Sequence, residues 1–149
     1  MSFMHAFSGI YNAVKKEVHL RFHIVIGNLI CIFAYFYGID RTQWAVLLLT
    51  IFAVMSAELL NTAIEKAVDT ATSDIMPTAK LSKDAAAGGV LVMAVCAILV
   101  GVCLFGDMMR ILDTLTRIFT NLKILIPCLI IGVLDLLFLF FFKEKKVKF

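Results

Sequence analysis

Charge is scarce in this sequence. Asp, Glu, Lys and Arg make up 17% of its 149 residues, against about a quarter in a typical soluble domain. Apolar residues account for 62%, and mean hydropathy is +0.97. That balance excludes an ordinary soluble globule and a disordered tail. The length fits one domain. A formal net charge of +3 is too small to indicate a nucleic-acid partner. The signatures of the soluble nucleotide folds are missing: there is no G-x-x-x-x-G-K-[ST] loop and no G-x-G-x-x-G turn. There is no H-E-x-x-H; His19 and His23 stand four apart, but two ligands without a third do not make a zinc site. Cys31, Cys96, Cys103 and Cys128 form no C-x-x-C pair and all lie in apolar stretches, where small thiols serve packing. The first twenty residues lack the apolar core and small-residue cleavage site of a signal peptide.

What is present is long apolar sequence. Residues 22–39, 42–57 and 85–106 contain no Asp, Glu, Lys or Arg, and residues 124–142 contain only Asp135. A spanning helix needs roughly 20 predominantly apolar residues. The pattern therefore predicts an all-α, polytopic membrane protein with four spans, the second of them short unless its helix continues into polar sequence. The brief linker between the first two spans makes them antiparallel neighbours. With the N-terminus in the cytoplasm, ten basic residues fall inside, from Lys15, Lys16 and Arg21 to Lys148. Only Arg41, Arg110, Arg117 and Lys123 fall outside, as the positive-inside rule requires. Both termini are then cytoplasmic. Phe3, Phe7, Ile10, Val14 and Val18 recur at helical spacing, which predicts an amphipathic helix lying on the inner membrane surface. A second amphipathic helix, residues 107–123, is expected on the outer surface.

The second span runs into Ser56-Ala-Glu-Leu-Leu-Asn-Thr-Ala-Ile-Glu-Lys-Ala-Val-Asp69 with no helix breaker. At about 100° per residue, Glu58, Asn61, Glu65 and Asp69 fall within roughly 80° of one another. They form one polar stripe on a helix that continues past the inner boundary. Ionisable groups at membrane depth are costly and point to function. A carboxylate at a helix end can also simply protrude into the cytosol. For Asp69 both readings stand; two acids and an amide sharing one face favour function for Glu58 and Glu65. Glu17, at the end of the surface helix, reaches the same boundary as Glu65 if the first two spans pack together. Two carboxylates there suit a hard divalent cation, since magnesium takes one or two protein carboxylates with phosphate and water. After a polar loop, Lys83 and Asp84 mark the start of the third span. A helix N-terminus flanked by Lys80 and Lys83 suits phosphate, although lysines there also serve as ordinary membrane anchors.

The stripe from Ala57 to Asp69, the downstream Lys83-Asp84 and the upstream Glu17 together resemble the small prokaryotic diacylglycerol kinase family, which includes the Gram-positive undecaprenol kinases. The resemblance covers roughly residues 3 to 106. It implies an inner-membrane kinase that uses Mg-ATP to phosphorylate a lipid hydroxyl at the cytosolic interface. It implies a homotrimer with sites shared between protomers. By motif position, Glu58 is the base that receives the hydroxyl proton, and Glu17 and Glu65 hold Mg2+. Asn61 contacts the phosphates or the metal shell, Lys83 binds phosphate and Asp84 contacts the nucleotide. Asp69 and Lys80 are supporting residues. His23, closing the segment that begins at Glu17, is closer to the undecaprenol-using branch.

Residues 1–106 are thus expected to form a kinase-like membrane domain. Residues 107–149 add the outer helix, a fourth span and a basic tail, which the family core does not have. Asp135 in that span either pairs with a neighbouring helix or reaches toward the interface. Two other functions compete: a non-enzymatic membrane subunit whose polar stripe specifies helix association, and a small cation-transporting oligomer. A transport path needs polar residues across the bilayer. Between Trp44 and Ser56 the second span offers only Thr50, and the third span is apolar throughout.

Overall fold

A computed structural model of the chain describes residues 2–71 and 76–141. The basic tail, with Lys143, Lys145, Lys146 and Lys148, lies outside the described residues, as does the centre of the loop before the third span. The described residues form α1 (Ser2–Lys16), α2 (Val18–Tyr37), α3 (Arg41–Ala71), α4 (Pro77–Phe105), α5 (Met108–Thr120) and α6 (Leu122–Phe141). Of these, α2, α3, α4 and α6 are long and apolar enough to cross a membrane.

The α2–α3 hairpin has its signals in the short linker. Gly38 stops α2 at φ 77°, where its N–H bonds the Ala34 carbonyl at 2.9 Å. Only glycine takes that left-handed conformation readily. Two residues later Asp40 and Gln43 cap α3 reciprocally: Gln43 N–H donates to Asp40 Oδ1, and Asp40 N–H donates to Gln43 Oε1, both at 2.9 Å. This is the capping-box geometry. From there α3 runs unbroken to Ala71, so the short apolar stretch does continue into the polar stripe as one helix.

The core sits at the hairpin end. Ala34, Tyr37, Ile39 and Leu47 are buried together, and Phe105 of α4 meets the rings of Phe33 and Tyr37 edge-on. Amphipathic α5 lies across this end. Its Arg110 stacks 4.3 Å from the centre of the Tyr37 ring and donates to the Gly38 carbonyl at 2.8 Å; Arg117 donates to the Phe36 carbonyl. The last carbonyls of a helix have no intrahelical donor, so these arginines satisfy what α2 leaves open.

Elsewhere α3 packs against both α2 and α4, α1 lies against α2 and α3, and α6 packs against α2 and α5. Phe3 and Phe7 of α1 are largely exposed, as expected of a face that meets lipid. Two expectations need correction. Glu17 is not on the surface helix: α1 ends at Lys16, and Glu17 occupies an extended break (φ −101°, ψ 113°) before α2. And Lys83 and Asp84 do not mark a helix start. With Pro77 at its first position, α4 begins before Ala79, Lys80 and Leu81, residues that favour helix. The free N–H groups therefore lie more than a turn before Lys83, which projects from within the helix.

Candidate functional site

The polar stripe of α3 faces three different surroundings. Glu58 is buried, 6% exposed, within an otherwise apolar stretch of helix, and Thr62 one turn on is buried too. Burying a carboxylate is costly unless something opposes its charge. Asn61 is half-buried and donates through Nδ2 to Glu65 Oε1 at 3.0 Å. Its own Oδ1 is buried without a hydrogen-bond partner. Such an orphaned acceptor is uncommon and calls for a donor or a cation. Asp69, on the exposed last part of the helix, forms an ion pair with Lys83 of α4.

Glu17 arrives at this stripe from the α1–α2 break. Its Oε1 lies 2.9 Å from Lys66 Nζ, so it joins α3 at the residue following Glu65. The break is what makes this reach possible: an extended residue between two helices turns its side chain away from the surface-helix face. The structure thus joins Asn61 to Glu65 on α3 and brings Glu17 to the neighbouring Lys66, with Glu58 one to two turns nearer the hairpin. Asp84 and Lys80, both on α4, are exposed to solvent. Among the described residues no three His, Cys, Asp or Glu side chains group closely enough to form a metal site by themselves. Glu17, Glu65 and the unpaired amide oxygen of Asn61 are hard oxygen donors of the kind magnesium takes, with phosphate and water completing its shell.

Two hollows flank the stripe. Between α3 and α4, a space of about 320 Å³ is lined by Asn61, Ala57, Ile64 and the small residues Ala85, Ala86 and Gly89. Small residues on α4 are what leave it open. Between α2, α3 and α4, an apolar cavity of about 520 Å³ runs from Phe22 and His23 past Gly27 and Val54 to Phe105. Val54 lies one turn before Glu58 on α3, so this cavity approaches the buried carboxylate.

The sequence pattern does not single out Lys66, Asn28 or Arg21. Lys66 reads as one more inside-positive charge, and only the break at Glu17 makes it a partner. Arg21 carries a signal in hindsight, a cation at the very start of an apolar span. Asp135 does pair with a neighbouring helix: Asn28 Nδ2 of α2 donates to its two oxygens at 3.1 and 2.8 Å.

The family described as prokaryotic diacylglycerol kinase matches residues 4–105, ending where α4 ends. A Bacillus subtilis protein named undecaprenol kinase is 38% identical over 104 residues, covering 70% of this chain and 85% of that protein. A Synechocystis protein named diacylglycerol kinase is 39% identical over 105 residues, 70% of this chain and 60% of that one. A Helicobacter pylori diacylglycerol kinase is 40% identical over 46% of this chain and 55% of its own length. No solved structure matches the chain.

Proposed function

The chain belongs to the prokaryotic diacylglycerol kinase family, and from that premise we propose that it is a membrane lipid kinase that transfers the γ-phosphoryl group of ATP to a lipid hydroxyl at the cytosolic membrane surface. The observation that carries the reading is the placement of Glu58, Asn61 and Glu65 on one helix, with Glu17 tied to the residue beside Glu65.

In this reading Glu58 accepts the hydroxyl proton. The freed lipid oxygen bonds to the γ-phosphorus, and the bond from that phosphorus to the β–γ bridging oxygen breaks, leaving ADP. Mg2+, when bound by Glu17 and Glu65 with Asn61 Oδ1 beside them, supplies positive charge opposite the phosphates. Lys83 turns from Asp69 toward a phosphate oxygen, Asp84 contacts the nucleotide, and Lys80 adds positive charge. Phosphoryl transfer is chiefly positioning and charge stabilisation, so a helix that orders these groups at fixed spacing is well suited to it. The acyl or prenyl chain of the substrate lies in the cavity between α2, α3 and α4, which directs its hydroxyl toward Glu58. The family implies a homotrimer with shared sites, in the bacterial cytoplasmic membrane with both termini inside. In that arrangement residues 1–106 form the kinase domain and residues 107–149 an accessory unit.

The relatives of nearly equal identity carry both substrate names, so the test offers both lipids. Protein purified in detergent is given labelled ATP and magnesium with diacylglycerol and undecaprenol in parallel. Labelled product from either, abolished in Glu58→Gln, is expected. Folded protein that labels neither would overturn the assignment.

A further inference from the structure

The fourth span lies beyond the region that matches the family, yet it is joined to the candidate site. Arg21, in the first turn of α2, is 1% exposed and the largest fully buried side chain among the described residues. Its guanidinium gathers three carbonyls from two helix ends. One terminal nitrogen donates to the carbonyls of Val14 and Lys15, both at 2.9 Å, and Nε donates to the Leu139 carbonyl at 3.2 Å. Val14 and Lys15 belong to the last turn of α1 and Leu139 to the last turn of α6, where carbonyls lack helical donors. The same Arg21 bonds through its backbone N–H to the Glu17 carbonyl at 3.3 Å. The guanidinium thus holds the end of α1 that leads into the break at Glu17, and α6 helps to fix that guanidinium.

The second attachment is the Asn28–Asp135 pair. Asn28 lies seven residues beyond Arg21, two helical turns along one face of α2. Asp135 lies four residues before Leu139, one turn along one face of α6. Both contacts thus join the same two faces. Asn28 is about 15 Å beyond Val18 at 1.5 Å per residue, near the middle of the span. A polar pair at that depth of an apolar span has few other partners, so it specifies how α6 sits on α2.

We propose that Asp135 is a positioning residue: its bond to Asn28 seats α6 so that the Leu139 carbonyl holds Arg21, and Arg21 holds the end of α1 so that Glu17 stays in place beside Lys66. The proposal rests on the reading of Glu17 as a metal ligand. It makes the fourth span part of the site's scaffold rather than an added anchor.

The test uses the full chain in lipid nanodiscs. Its main readout is Mn2+ binding in the presence of a non-hydrolysable ATP analogue, followed by electron paramagnetic resonance. Glu17→Gln examines the underlying reading and is expected to weaken that binding. Asp135→Ala is expected to weaken it about tenfold, the usual scale for losing a residue that orients a ligand. The KM for Mg-ATP rises in step, while the KM for lipid stays unchanged. Asp135→Asn, which keeps an acceptor opposite Asn28, restores wild-type affinity. Unchanged Mn2+ affinity in folded Asp135→Ala overturns the proposal while an effect in Glu17→Gln leaves the site reading standing. No effect in Glu17→Gln removes both. Should Asp135→Ala not fold, the exchanged pair Asn28→Asp with Asp135→Asn decides. It still sets a carboxylate against an amide and is expected to bind Mn2+ as wild type does, unlike Asn28→Asp alone. An exchanged pair as weak as that single variant overturns the proposal.

Discussion

Lys66 Nζ lies 2.9 Å from Glu17 Oε1, an ion pair that fastens the break between α1 and α2 to the residue after Glu65. The lysine side chain is 56% exposed and the glutamate side chain 28%. A pair so open to solvent contributes no more than about 1 kcal/mol to stability. Its consequence is chemical. A cation already beside Glu17 competes with any second cation for the same carboxylate. Lys66→Gln is expected to leave the melting temperature nearly unchanged and to lower the magnesium concentration at half-maximal activity. A magnesium titration of purified variant and wild type measures this.

Glu58 is the one acid of the stripe that is buried, one turn beyond the residue where the apolar cavity ends. If it takes the hydroxyl proton, Glu58→Gln removes the base while keeping the shape of the side chain. Positioned general bases are worth about 10² to 10⁴ in rate. A loss of that size in labelled-phosphate transfer is expected, with helical content by circular dichroism unchanged. A membrane subunit whose stripe served only association would keep its assembly and show no such loss.

The spans and the stripe were legible because each rests on local pattern. Charge-free length marks α2, α3, α4 and α6, and the absence of a breaker between Trp44 and Asp69 carries α3 through its polar half. The break at Glu17 was not legible. No glycine or proline stands there, and the helix stops because tertiary contacts favour it, Arg21 holding the last carbonyls of α1 and Lys66 drawing Glu17 to α3. The partner of Asp135 was hidden for a similar reason: Asn28 is 107 residues away in sequence. The start of α4 was misplaced because polar residues before Lys83 read as loop, although Pro77 is a common first residue of a helix.

Gly27 sets how closely α2 approaches α3. It is buried, and a Cβ there would lie 2.9 Å from Ile51 Cγ2. That methyl is on a β-branched side chain with little freedom to turn aside. Gly27→Ala is therefore expected to destabilise the protein by about 1 to 3 kcal/mol, the usual range for overpacking. In an Ile51→Ala background the same change should cost at least about 0.5 kcal/mol less, as expected of residues in contact. Unfolding in detergent, followed for the four members of the cycle, gives the coupling. Independent effects at the two positions would mean that Gly27 and Ile51 do not set the distance between the two helices.

Lys83 and Asp69 link α4 to the exposed end of α3 as an ion pair. The two residues should differ in consequence. In the proposed site Lys83 would bind phosphate and Asp69 would only hold it. Losing a hydrogen bond to a charged group costs about 1.5 to 3 kcal/mol, so Lys83→Met should raise the KM for ATP roughly 10- to 100-fold. Asp69→Asn frees the lysine without removing it and should change that constant far less. In a Lys83→Met background, Asp69→Asn should have no further effect on ATP, because nothing remains for the aspartate to hold. Steady-state kinetics of the two single variants and the double variant distinguish the roles. Equal losses in the two single variants would mean that the pair works as a structural tie between α3 and α4, and that phosphate is bound elsewhere.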